Sequence, residues 1–265
     1  MAHPPALLRH GGVEWRYLRG GSDAAGGAGR TTVLMLGGAL GIAEFGFPLI
    51  EAIEREFRVI APDYPPLARA AAVTDGLVRI LDAEQLGRVA VHGASFGGLL
   101  AQALARRAPG RVGALVLSHT SAPQGQGAAA AMSVRMLGML PARGIRALLD
   151  RRLGRMLDAA DPFHHEAFRA ALARLTKRDL MARMRLAEDL QASRFAAADL
   201  DGFSGRTLIV ESDDDPMIAE AARSALRDLH PGAEVHRFHG TGHLSTILRP
   251  EEYNERVIRF LREEP

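Results

Sequence analysis

A serine hydroxyl becomes a nucleophile where a base can take its proton and where N–H groups meet the charge that develops. One stretch of this 265-residue chain has the residue types for that, Arg88 to Arg107, RVAVHGASFGGLLAQALARR. A short apolar strand pattern, Val89 to His92, runs into Gly93-Ala94-Ser95-Phe96-Gly97-Gly98, and a small-residue helix pattern, Leu99 to Arg107, follows. Gly-x-Ser-x-Gly between a strand and a helix spells a sharp turn that holds a serine clear of a sheet, a nucleophile elbow. Gly93 and Gly97 stand where such a turn brings other backbone too close for a side chain. The helix N-terminus favours developing negative charge. The amide of Phe96, directly after Ser95, is therefore one candidate oxyanion donor.

The base and the acid that orients it must come from elsewhere in the chain. Among ten histidines, His243 is one candidate. It closes His239-Gly240-Thr241-Gly242-His243, after the last strand pattern and ahead of a helix start at Pro250-Glu251-Glu252-Tyr253. His239, His236, His92 and His119 compete less well. His236 lies within a strand pattern and His92 before the elbow, while His119 follows a strand and is placed to line a pocket. His164 and His165 read as a solvated helical face. For the acid, Ser212-Asp213-Asp214-Asp215-Pro216 offers three carboxylates after the preceding strand pattern. One of them would hold the imidazole and stabilise the imidazolium formed in the reaction. The residues alone leave the three open.

The surrounding pattern supplies the frame. Val13 to Arg19 alternates and reads as an edge strand, and Gly20 to Gly29 as a Gly/Ala/Ser loop. Thr31 to Leu36, Arg58 to Ala61, the elbow strand and Val112 to Ser118 are apolar runs of the kind found in buried parallel strands. Helix patterns separate them: one with Phe47, Ile50 and Ile53 on its apolar face, one from about Ala68 to Ala83. From Gln124 to about Phe203 the cadence stops and only helical patterns remain. Three apolar faces are expected there: Met132, Met136 and Met139; Leu148, Leu149, Leu153, Met156 and Leu157; and Leu180, Met181 and Met184. Packing is the expected use of most of these methionines. Alternation resumes with strands Arg206 to Val210 and Ala233 to Phe238 and helices Ile218 to Leu229 and Pro250 to Leu261. Strand, helix, strand at this spacing implies a parallel sheet with right-handed crossovers.

With these motifs in this order the chain resembles the α/β-hydrolase superfamily from Val13 to Leu261. That resemblance implies an α/β fold, a mostly parallel sheet flanked by helices. It implies a core of residues 1–123 and 204–265, with residues 124–203 inserted as a helical cap over the substrate pocket. Chain order Ser…Asp…His is what the fold requires, and Ser95, Asp215 and His243 satisfy it. Alignment on Pro216 points to Asp215, with Asp214 as runner-up; Ser212 stands where the family usually has glycine. The family commonly has His-Gly-x after the first parallel strand. Gly37-Gly38-Ala39 stands there, making the Ala39 amide the second oxyanion donor. The short Tyr64-Pro65-Pro66 connection and the Gly-Ala-Ser-x-Gly-Gly elbow, followed by Leu-x-Ala-Gln, look like the maspardin branch, whose type member is regarded as a binding protein. His243 argues for catalysis instead. The reading is a serine hydrolase that cleaves an ester or related acyl bond of a small, largely apolar substrate. A binding or adaptor protein on the same scaffold is the alternative.

Composition narrows the partners. The chain has no cysteine, which removes disulfides, thiol catalysis and thiolate-held metal. Its formal charge is +2, too small to imply a nucleic-acid partner, and Lys177 is its one lysine. No dinucleotide fingerprint, P-loop, HExxH or EF-hand is present, so neither cofactor nor metal is expected. No apolar run has the length of a membrane span, and Met1 to His10 lacks a signal-peptide core. The expected setting is cytoplasmic. Arg143, Arg146, Arg151, Arg152 and Arg155 are expected to form a solvated face.

Overall fold

The computed structural model describes residues 5–21, 31–123, 125, 128–158, 160–193 and 196–263. The glycine-rich loop from residue 22 onward and the Gln124 boundary lie outside the described residues.

Eight strands form one sheet: β1 (Ala6–His10), β2 (Val13–Gly20), β3 (Thr32–Leu36), β4 (Arg58–Pro62), β5 (Val89–Ala94), β6 (Val112–Ser118), β7 (Arg206–Ser212) and β8 (Glu234–Phe238). Their order across the sheet is β1-β2-β4-β3-β5-β6-β7-β8. The pairings from β4 to β8 are parallel, and β1 and β2 join antiparallel. Val13 to Arg19, expected at the edge, lies one strand in. The edge is β1, which pairs residue for residue with β2 from Ala6↔Tyr17 to His10↔Val13. The half-exposed β1 has five residues, too few for periodicity to mark it.

Each strand of the parallel region is followed by helix. The elements are α1 (Phe47–Ile53) after β3, α2 (Ala70–Ala83) after β4, α3 (Phe96–Arg107) after β5, α8 (Glu220–Leu229) after β7, and α9 (Ser245–Leu248) with α10 (Pro250–Arg262) after β8. The period of two in the strands divides the core between two faces. Leu34 and Leu36 of β3 face Val73, Leu77, Leu100 and Leu104 of α2 and α3. Val33 and Met35 face Leu49, Ile53, Tyr253, Val257 and Phe260 of α1 and α10.

Between β6 and β7 lie α4 (Ala128–Leu137), α5 (Ala142–Leu153), α6 (Pro162–Arg174) and α7 (Lys177–Ala192), with no strand among the described residues. Ile145, Leu157, Phe168, Leu172 and Leu180 of this insertion bury themselves with Leu40 and Ile42 of the loop after β3, and Leu244 and Ile247 pack against the same cluster. The insertion is thus fastened over the loops at the C-terminal ends of β3 and β8. Met132, Met136 and Met139 are exposed, against the packing expected of them, and Leu148 is exposed as well. Met156 reaches a cavity below the insertion, and Leu157, Leu180 and Met181 are buried.

Gly97 measures how closely α3 lies on the sheet. A Cβ there would stand 2.0 Å from the carbonyl oxygen of Leu36 and 2.6 Å from that of Gly37. Both are backbone atoms of β3 and its following loop, so only movement of the helix relieves the clash. Gly97→Ala should therefore lower unfolding free energy by about 3 kcal/mol or more, read from the urea midpoint at unchanged m-value.

Candidate functional site

The turn between β5 and α3 holds Ser95 at φ 53°, ψ −117°, a conformation that L-residues rarely adopt. Two features fix it. Ser95 N–H donates to the carbonyl of Ser118 at the end of β6 (2.8 Å), and Gly98 N–H to that of Ser95 (2.9 Å). Gly93 completes the close approach, since a Cβ there would meet the Gly97 carbonyl at 2.5 Å.

His243 follows β8 on a short loop, and its Nε2 lies 2.9 Å from Ser95 Oγ. Its Nδ1 lies 2.7 Å from Oδ2 of Asp215, on the loop after β7. Asp215 Oδ1 accepts from the amides of Met217 (2.8 Å) and Ile218 (3.1 Å), which orients the carboxylate. Burial by itself would raise the Asp215 carboxyl. The hydrogen bonds from His119 and His243 outweigh it and hold the group well below the usual carboxylate range.

The neighbouring aspartates are occupied elsewhere. Asp214 Oδ1 accepts from Ser212 Oγ (2.5 Å) and Gly242 N–H (3.0 Å), which braces the histidine loop against the acid loop. Asp213 pairs with His239 (2.5 Å) at the surface. His236 contacts Glu252, and His92 shares a buried 2.7 Å hydrogen bond with Tyr253 OH.

Sequence reasoning missed two partners. His119 lies 3.2 Å from the same Asp215 Oδ2 that His243 contacts, a pairing across 96 residues that no local pattern announces. His164, expected on a solvated face, lines the cavity above Ser95, its ring stacked on Phe47. Periodicity does carry a trace of this, because His164 lies four residues before Phe168, which is buried on the same helix face.

The loop after β3, which carries Ala39, is fixed from three sides. Tyr64 OH donates to the Gly37 carbonyl (2.8 Å). Asp63 Oδ1 accepts from Ala43 N–H (2.7 Å). Arg183 of α7, only 7% exposed, donates through Nε to the Leu40 carbonyl (2.9 Å) and through a terminal nitrogen to the Tyr64 carbonyl (2.6 Å). A buried guanidinium needs several acceptors to offset its lost hydration. Here those acceptors belong to the two loops that the insertion covers. Phe96 is the first residue of α3, so its amide has no carbonyl within the helix to bond.

Ser95, His243 and Ala39 open onto a cavity of about 250 Å³. Its walls are largely apolar, with Ile42, Phe45, Phe47, Met156, Phe168 and Ile247 contributing. Arg143, Arg151, Arg152 and Arg155 are exposed and line none of it, and Arg146 donates to the Leu175 carbonyl. Among the described residues, the one cluster with ligand atoms close enough to hold a metal is His119, Asp215 and His243, all within 4.8 Å. Both imidazole Nδ1 atoms in that cluster face an ionised carboxylate and serve as donors. No helix among the described residues is long and apolar enough to cross a membrane.

The model of the alpha/beta hydrolase family matches residues 33–256 of this chain. The chain belongs to that family. Its sheet order and flanking helices are those of the alpha/beta hydrolase fold. Sequence relatives include the RutD protein of Caulobacter vibrioides, whose name proposes a carbamate hydrolase, 27% identical over 88% of this chain and 91% of its own. A poly(3-hydroxyalkanoate) depolymerase of Ectopseudomonas oleovorans is also 27% identical, over 88% and 85%. Among solved structures, the enol-lactonase of Burkholderia xenovorans superimposes with a TM-score of 0.80 at 20% identity, covering 97% of this chain and all of its own. A thermophilic esterase of Thermogutta terrifontis does so with a TM-score of 0.80 at 21% identity, covering 98% of each. These matches reach the superfamily and give no support to the maspardin branch.

Two buried histidines, His92 beside the cavity and His230 directly after α8, make stability depend on pH. Burial pushes His92 down to about 4, and His230 also to about 4. The unfolded chain binds a proton at each near pH 6.5, whereas the folded one stays neutral until about pH 4. Stability contributed by keeping them neutral is therefore full above pH 6.5 and is lost as pH falls from there to 4. Urea unfolding should lose about 1.4 kcal/mol per pH unit for each of these two protons in that window. His92→Gln should remove one share of the slope.

Proposed function

We propose that this chain is a serine hydrolase of esters and related acyl bonds, carbamates included, with an apolar group on the substrate. The observation that carries the proposal is the continuous contact from Ser95 Oγ through His243 to Asp215, opening on the apolar cavity. The relatives' names support it in kind: a lactone and a polyhydroxyalkanoate are esters, and a carbamate carries an acyl-type carbonyl.

The distances support the following sequence of steps. His243 Nε2 takes the Ser95 proton as Oγ bonds to the substrate carbonyl carbon. The carbonyl oxygen becomes an oxyanion and accepts from the amides of Phe96 and Ala39. Asp215 keeps the imidazolium oriented and balances its charge without itself taking the proton. The tetrahedral species collapses, the leaving alcohol or amine departs with the proton from His243, and the acyl group remains on Ser95. Water then gives its proton to His243 and attacks the acyl carbon, and Ser95 leaves reprotonated. The insertion, residues 124–203, acts as a cap that excludes bulk water and shapes the acyl or alcohol pocket.

The adaptor reading has no observation of its own in its favour, since the base is within hydrogen-bond reach of the serine. Hydrolysis of p-nitrophenyl esters tests the choice. From acetate to butyrate kcat/KM should rise about fourfold per methylene, the worth of one buried CH₂. Ser95→Ala should lower kcat by at least about 10³-fold while its thermal unfolding stays that of a folded protein. Undiminished turnover in that variant overturns the mechanism.

A further inference from the structure

His119 occupies a place that its neighbours alone do not explain. It is the first residue after β6, 4% exposed, with a left-handed backbone at φ 46°. Its amide donates to the Val210 carbonyl of β7 (2.8 Å), so the unusual backbone conformation is anchored to the sheet. From there the ring reaches in two directions. Nδ1 lies 3.2 Å from Asp215 Oδ2, and Nε2 lies 2.6 Å from Ser245 Oγ, a fully buried hydroxyl at the start of α9.

The proton positions follow from acceptor counting. An ionised carboxylate only accepts, so both His119 and His243 must carry a proton on Nδ1. Burial lowers the affinity of His119 for a second proton, which leaves its Nε2 an acceptor for the Ser245 O–H. The network therefore runs from Ser245 to His119 to Asp215, and meets His243 at one shared oxygen. Ser245 is two residues from His243, so the loop that carries the base is tied to the acid twice, once directly and once through His119.

We propose that His119 is a positioning residue for the Asp215–His243 pair, holding the shared carboxylate oxygen in line with His243 Nδ1 and, through Ser245, fixing the loop that carries the base. This rests on the reading of Ser95, His243 and Asp215 as the catalytic groups. His119 touches no reacting atom. By taking part of the electron density of Asp215 Oδ2 it also limits how strongly that oxygen pulls on the His243 imidazolium. The charged or titratable groups acting on the His119 ring are Asp215, His243 and, at longer range, Asp214.

The test is the second-order rate at which a fluorophosphonate probe labels Ser95, measured from pH 5 to 9, because it does not depend on knowing the natural substrate. Wild type, Ser95→Ala, His119→Ala, His119→Asn and Ser245→Ala are compared, each checked for native unfolding behaviour. His119→Ala should label about tenfold to a hundredfold more slowly across that range. His119→Asn keeps an N–H at the Nδ1 position and tolerates the left-handed backbone, so it should recover most of the rate. Ser245→Ala should slow labelling less than His119→Ala. A wild-type rate in His119→Ala overturns the proposal, as does equal loss in His119→Ala and His119→Asn. Failure of the wild type to label, or labelling that persists in Ser95→Ala, instead overturns the assignment of the nucleophile.

Discussion

The site depends on one backbone constraint, the left-handed Ser95 at the junction of β5 and α3. That geometry survives only because α3 lies almost in contact with the end of β3. The missing side chains of Gly93 and Gly97 make the approach possible, and the buried face of α3 against β3, β5 and α2 makes it favourable. Packing in the core thereby supplies the strain that holds a hydroxyl at the sheet's C-terminal edge. Everything that would act on the hydroxyl arrives at the same edge from β3, β7 and β8, because a parallel sheet delivers all its following loops to one side.

A polar cluster at this position must be complete to be stable. Asp215 is buried, and each of its oxygens has two donors, from His119 and His243 on one and from the Met217 and Ile218 amides on the other. The loop after β3 is handled in the same way, with Tyr64, Asp63 and Arg183 bonded to its carbonyls and amides. Arg183 belongs to α7, so the insertion contributes directly to the rigidity of the loop that carries Ala39. Above these polar floors the apolar clustering of Phe168, Leu157 and Ile145 with Leu40 and Ile42 holds the insertion down and leaves the cavity between.

Much of this was legible because the informative signals are local. The elbow is six consecutive residues, buried parallel strands are continuous apolar runs, and His243 announces itself by following the last strand. What escaped was set by distance along the chain or by shortness. β1 is five residues with one half-exposed face. The choice among three adjacent aspartates did not escape: the residues alone left it open, but alignment on Pro216 pointed to Asp215, the one whose carboxylate meets His243 while Asp214 and Asp213 bond elsewhere. His119 meets Asp215 and Ser245 across 96 and 126 residues. Arg183 reads as one more charge on an amphipathic helix until four backbone carbonyls are seen around it. Met132, Met136 and Met139 share a face by spacing, yet that face meets solvent, because periodicity gives a stripe and not what lies opposite it.

In the proposed mechanism the Ser95 hydroxyl carries the acyl group during turnover. The most direct measurement is to mix the protein with p-nitrophenyl butyrate, quench in acid within the first turnovers, and map the mass of the peptide that contains Ser95. A butyryl increment is expected on that peptide, confined to Ser95, appearing as the first equivalent of p-nitrophenol is released. An unmodified Ser95 peptide, or the increment on another residue, would contradict it.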